Sequence, residues 1–154
     1  MSKFILSMTK NNIASQIAHL LNIGNQFYYT IMPYHILHND IRYLIELDRD
    51  RVIGVIGLQV KNQYVTELKH LAVHPQYRRR GIGKKLLEMG IKFATTPYVY
   101  GVVRSINSTN IRNNLRLGMI PIAYCRGRNP NYKMIIFAKS KIGAEAKYVN
   151  RYRS

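Results

Sequence analysis

Leu71-Ala72-Val73-His74-Pro75-Gln76-Tyr77-Arg78-Arg79-Arg80-Gly81-Ile82-Gly83-Lys84-Lys85-Leu86-Leu87-Glu88 reads as three pieces in series: the end of a β-strand, a turn rich in arginine and glycine, and the start of a helix. The two glycines give the turn backbone angles that other residues rarely adopt and leave room for a ligand to approach the main chain. The helix that follows presents unbonded N–H groups at its positive end. Strand, turn and helix together form a cradle for an anion. The common nucleotide motifs do not fit it, because G-x-G-x-x-G lacks its third glycine and no G-K-[ST] follows.

The sequence on either side sets this unit in a sheet. Ile41–Leu47, the turn Asp48-Arg49-Asp50 and Val52–Val60 read as a hairpin, and Asn62-Gln63 turns the chain into a third strand, Val65–Val73. Downstream, apolar residues at helical spacing (Leu87, Ile91, Ala94) predict a helix from about Lys84 to Thr95, with Pro97 beyond it. A strand at Tyr98–Val103, a helix at Ser108–Leu117 stopped by Gly118, and two strands near Met119–Cys125 and Tyr132–Ala138 complete the pattern. Before the hairpin, Phe4–Met8 reads as a short strand. Asn12 then reads as the cap of a helix with Ile13, Ile17, Leu20 and Leu21 on one face and Gly24 as its stop. The aromatic stretch Gln26–Asn39 reads as a loop or short helix.

The expected class is therefore α/β (α+β): a central mixed, mostly antiparallel sheet of six to seven strands flanked by helices. At 154 residues and 47% apolar composition the chain suits one domain, expected over 1–139, with 140–154 a basic C-terminal extension. No apolar run approaches the roughly 20 residues that span a bilayer, and the N-terminus lacks a signal-peptide pattern, so a cytoplasmic location is expected. The single Cys125 leaves no internal disulfide and no CxxC pair, so no metal is expected, and a small buried hydrophobe accounts for it.

Charge is unevenly spread. Lys and Arg number 24 against 7 Asp and Glu, for +17 at neutral pH, and from Arg104 onward eleven basic residues face only Glu145. A field of that sign attracts polyanions: a phosphorylated cofactor, nucleic acid or an acidic protein surface.

The central string resembles motif A of the GNAT family of N-acetyltransferases, matching it at Arg78, Gly81 and Gly83, with Val73 and Pro75 in place before them. Asn107 and Gly118-Met119 are similar to the family's motif B. The resemblance implies the GNAT fold and acetyl-CoA as co-substrate. The coenzyme A pyrophosphate then falls to the loop Arg78, Arg79, Arg80, Gly81, Ile82, Gly83 and Lys84, the pantetheine arm to the backbone of Leu71, Ala72 and Val73, and a further contact to Asn107. It also implies direct acetyl transfer to a primary amine, and the basic C-terminal half points to an acceptor that is a protein or other macromolecule.

Such a transfer needs a base for an ammonium whose pKa lies near 10.4 in lysine, and help for the departing thiolate. Glu67 matches the position of the general-base glutamate in protein-lysine acetyltransferases of the family. It also suits a strand-edge carboxylate paired with Lys69, and both readings stand. Strand alternation puts Glu67, Lys69, Leu71 and Val73 on one face unless a bulge intervenes. His70 is the reserve base. The general acid departs from the family pattern, because Asn114 occupies the usual tyrosine position and an amide donates only a hydrogen bond. Either Tyr124, Tyr132 or water takes that role, or the thiolate leaves unassisted, or the site is degenerate and the chain is a module binding nucleic acid through its basic face, with its tyrosines stacking on bases.

Overall fold

A computed structural model describes residues 9–24 and 29–142. The strand expected at Phe4–Met8 and most of the C-terminal extension lie outside them. Helix α1 (Lys10–Gly24) and helix α2 (Pro33–His38) precede strands β1 (Arg42–Asp48), β2 (Arg51–Val60) and β3 (Val65–Val73). Helix α3 (Ile82–Phe93), strand β4 (Tyr98–Arg104), helix α4 (Ser108–Arg116), and strands β5 (Ile120–Arg126) and β6 (Lys133–Ser140) follow. The six strands form one sheet in the order β1-β2-β3-β4-β6-β5. All neighbours are antiparallel except β3 and β4, which run parallel and are joined through α3.

Local chemistry sets most boundaries. At α1 the Thr9 hydroxyl, not Asn12, is the capping acceptor, taking the Asn12 N–H at 3.1 Å, so the helix begins earlier than the apolar periodicity suggested. α3 also starts two residues before Lys84, because Gly81 in a left-handed conformation (φ 77°) ends the turn and releases the chain into helix. The segment expected as a loop or short helix before β1 contains α2, which starts at Pro33 in the first helical position.

Each face of the sheet has its own core. On one face α3 and α4 cover Ile56, Leu58, Leu68, Val99, Val103 and Phe137; on the other, α1 packs Ile17, Leu20 and Leu21 against Val52, Val55 and Ala72. α3 lies close on the strands: a Cβ at Gly90 would come within 3.1 Å of Ile56 Cδ1 and 3.2 Å of Leu68 Cδ2. Phe137, 1% exposed, fills the space opposite Gly101. Phe137→Ala is expected to cost about 3–5 kcal/mol of stability, read as a lower urea midpoint at unchanged slope; a midpoint near the parent's would contradict its place as a central packing residue.

Candidate active site

β3 and β4 pair over only four residues each, from Val65–Tyr98 to Leu68–Gly101. Past that point their registered pairing stops, although β3 runs on to Val73 and β4 to Arg104. The backbone of β3 beyond Leu68 is thus left without a β4 partner along one edge, a row of polar groups that a bound extended ligand can satisfy. A cleft of about 680 Å³ opens at the divergence, bordered by Glu67 to Leu71 of β3, Gly101 to Arg104 of β4, Asn107, Asn110 and Asn114 of α4, and Arg128, Asn129 and Tyr132 of the β5–β6 hairpin.

A bulge in β3 shapes this wall. Gly57 faces Lys69 and Val55 faces Ala72, so His70 and Leu71 together oppose the single Ile56. His70 takes φ 55°, a conformation that costs a non-glycine residue about 1–3 kcal/mol and concentrates at functional sites. The bulge corrects the expected parity. Glu67 and Lys69 share the α1 face with Ala72, whereas Leu71 joins the core under α3 and Val73 follows it to that side.

The Arg/Gly loop leads directly off this strand. His74 Nδ1 accepts the Gln76 N–H, and a short 3-10 turn (Pro75–Tyr77) passes the chain to Arg78, whose Nε donates to the Val73 carbonyl at 3.4 Å. Arg79 (φ 61°) and Gly81 (φ 77°) both take the left-handed conformation. The first bond of α3 is Lys85 N to Gly81 O, at 3.0 Å, so the amides of Gly81, Ile82, Gly83 and Lys84 precede the intrahelical ladder. No acidic residue occupies the first turn. A Cβ at Gly81 would meet nothing within 4 Å, so the protein itself leaves the space over this glycine open. Arg80 is tethered: it lies 5.0 Å over the Tyr77 ring, and the Tyr77 hydroxyl donates to Asp48. Lys85 pairs with Glu46 at 2.9 Å.

Glu67 faces the cleft beside Lys61 at 3.4 Å and Lys69 at 3.7 Å. The Tyr100 hydroxyl hydrogen-bonds to it, and burial together with the Glu67 charge holds that phenol above its usual range. Glu67 thus borders the cleft and is ion-paired. His70 also borders the cleft. The Asn39 amide donates to the Tyr43 hydroxyl at 3.1 Å, and that hydroxyl shares a hydrogen bond with His70 Nδ1 at 3.0 Å.

The remaining candidates divide. Tyr132 and Asn114 border the cleft, and Asn114 is 2% exposed with its amide donating to Asn110 O and Oδ1. Tyr124 does not border it; on the edge strand β5 it is 77% exposed. The strand order explains this, since β6 lies between β5 and β4 and leaves Tyr124 on the outermost strand. Asn107 caps α4, its side chain accepting the Asn110 N–H at 3.1 Å. Cys125 is exposed, not buried, because β5 is an edge strand. Arg104 and Arg128, which the sequence offered only as members of the basic C-terminal half, border the cleft, whereas Tyr43 behind His70 was not singled out from the sequence. Arg104, at the end of the strand that diverges from β3, had a detectable signal in its position; the Tyr43–His70 bond had none, as it spans 27 residues.

Burial, with a smaller push from the Lys69 charge, lowers the His70 pKa to about 4, against 6.5 in the unfolded chain. The folded state thus binds the proton more weakly, so stability from this group is full above about pH 6.5 and is lost as pH falls toward 4. His70→Asn, which tolerates the positive φ, is expected to flatten this dependence. Urea midpoints of both proteins at pH 7 and pH 4.5 read it directly; equal losses in the two would exclude His70 as a source.

The sheet and its split strands place the chain among known N-acetyltransferase folds. The ribosomal-protein-S18-alanine N-acetyltransferase of Escherichia coli superposes with a TM-score of 0.72 at 19% identity, over 87% of this chain and 90% of that one. A GNAT acetyltransferase of Elizabethkingia anophelis with acetyl-CoA bound gives 0.66 at 15% identity, over 79% and 88%. Residues 15–118 match the acetyltransferase (GNAT) family, and the chain belongs to that family. An uncharacterized N-acetyltransferase in the lysA 3′ region of Bacillus methanolicus is 39% identical over 41 residues, 27% of this chain. The match spans about a third of that relative (34%). Among the described residues no helix is long and apolar enough to cross a membrane.

Proposed function

We propose that this chain transfers the acetyl group of acetyl-CoA to a primary amine by direct attack, and that the acceptor is carried on a protein or other macromolecule. The observation that carries the proposal is the divergence of β3 from β4 beside the N-terminus of α3. It sets an edge of free main chain next to an anion cradle, the two features a pantetheine arm and a pyrophosphate require. Arg78 to Lys84 would bind the phosphates, and the backbone of Leu71 to Val73 the arm, from the α3 side of the sheet. The acceptor then enters from the α1 side, where Glu67 waits. The amine nitrogen attacks the thioester carbonyl, a C–N bond forms and the C–S bond breaks. Glu67 takes the ammonium proton, and the thiolate of coenzyme A leaves with a proton from Tyr132 or water, since Tyr124 stands outside the cleft.

The absence of a tyrosine at Asn114 favours one other reading, a module that binds nucleic acid through its basic face without catalysis. Incubating the purified protein with labelled acetyl-CoA and a cell extract, with mass spectrometry of the products, separates the two. Labelled amides that require the protein support transfer. Their absence, together with tight salt-sensitive RNA or DNA binding at saturating coenzyme A, supports the module.

A further inference from the structure

Resting on the acyl-transfer reading, we propose that the acceptor is dipolar, with an anionic group several atoms from its reactive amine, and that Arg104 and Arg128 hold that anion. Parity places the parts. Glu67 is in register with Tyr100, and Tyr100, Val102 and Arg104 alternate with the core residues Val99 and Val103, so Glu67 and Arg104 share the sheet face away from α3. This is the face left to the acceptor when the coenzyme occupies the other.

Along it the charges are segregated. Glu67 is the single carboxylate among the described residues bordering the cleft, and the cations Lys69, Arg104 and Arg128 border it too. Lys61 and Lys69 already flank Glu67, so the wall as a whole is cationic even after that carboxylate is matched. Tyr100 and Arg104 are four residues apart on one strand, about 13 Å along the backbone. An ammonium at Glu67 and a carboxylate or phosphate at Arg104 would fit that spacing, whereas the α-carboxylate of a free amino acid lies too near its own amine. One contact orients Arg104, and the closure of a hairpin fixes the backbone that carries Arg128. The Arg104 guanidinium lies 4.9 Å over the Tyr132 ring. The hairpin that carries Arg128 is closed by Gly127 N to Tyr132 O and Tyr132 N to Asn129 O, both at 3.0 Å. A planar guanidinium held this way matches a carboxylate or phosphate with two parallel hydrogen bonds.

The test is calorimetry and steady-state kinetics on the full chain at saturating coenzyme A or acetyl-CoA, with matched acceptors. One arm pairs tripeptide amides with free amino termini, Ala-Ala-Glu amide against Ala-Ala-Gln amide; the other pairs Ala-Ala-phosphoserine amide with Ala-Ala-Ser amide. The proposal expects the anionic member of at least one pair to bind about tenfold more tightly, the arm in which it does so identifying a carboxylate-bearing or a phosphorylated peptide as the source. Arg104→Gln and Arg128→Gln should each erase that preference through KM with kcat unchanged. Arg128 lies on an exposed hairpin, so its variant keeps the test open where Arg104→Gln does not fold. Equal binding of charged and neutral members, with acetyl-CoA still stabilising the protein, would overturn the dipolar acceptor and leave acyl transfer standing. Variants that weaken acetyl-CoA equally with every acceptor would assign both arginines to the coenzyme and overturn it as well. Loss of acetyl-CoA binding in the parent protein would remove the acyl-transfer reading itself, and this one with it.

Discussion

Gly81→Asp is expected to leave the fold intact and abolish stabilisation by acetyl-CoA. Two opposing effects decide the first half. The φ of 77° carries a penalty for any L side chain, about 1–2 kcal/mol, but Asp is among the residues that tolerate it. Its Cβ would meet no atom of the protein within 4 Å, and a carboxylate at the N-cap of α3 interacts favourably with the amides of the first turn. The apoprotein should therefore melt close to the parent. The ligand fares differently, because the same carboxylate fills the open space above the loop with negative charge and takes the amides that the pyrophosphate would use. A ligand present at a hundred times its Kd stabilises by about 2.7 kcal/mol, a shift of roughly 5–10 °C for a domain of this size. That shift should appear in the parent, shrink in Gly81→Ala and vanish in Gly81→Asp. An equal shift in all three would detach the loop from the coenzyme.

The path from sequence to site was legible where local chemistry dominates. The strand–loop–helix unit at 71–88, the hairpins and the C-terminal strands follow from period, glycine placement and turn residues, and the structure puts them where those signals pointed. The face of Glu67 was not legible. Its parity with Leu71 depends on a bulge at His70 and Leu71, and the bulge exists only against Ile56 on the neighbouring strand. Alternation read along one strand cannot register an extra residue in a pair of strands. Tyr124 shows the same limit. A strand tyrosine close to the cleft in sequence lies on the rim because β6 runs between β5 and β4, and strand order is a property of the whole sheet. The acceptor face combines β3, β4 and the β5–β6 hairpin, and no local pattern joins Glu67 to Arg104 or Tyr132.

Glu67→Gln is expected to lower kcat about a hundredfold at neutral pH while affinity for acetyl-CoA is retained. The substitution keeps size and shape and still accepts a hydrogen bond from Tyr100, so the cleft wall should hold its form. What it removes is the proton acceptor, and a positioned general base contributes roughly 10²–10⁴ in rate. The pH profile separates this from the competing structural role. With the base gone, the reaction relies on amine that is already neutral, so below the acceptor pKa the variant's rate should climb nearly tenfold per pH unit and its deficit should narrow toward pH 10. A purely structural carboxylate predicts something else. Loss of the Lys61 and Lys69 contacts, both to partly exposed side chains, would cost about 1 kcal/mol of stability or less, and turnover would stay at the parent level at every pH. A Glu67→Gln protein that melts slightly lower and turns over at the parent rate would assign Glu67 to the ion-pair cluster and return attention to His70. The Tyr43 hydroxyl bonded to its Nδ1 then supplies the next variant, because Tyr43→Phe removes that bond and should shift the pH profile of the rate if His70 is the base.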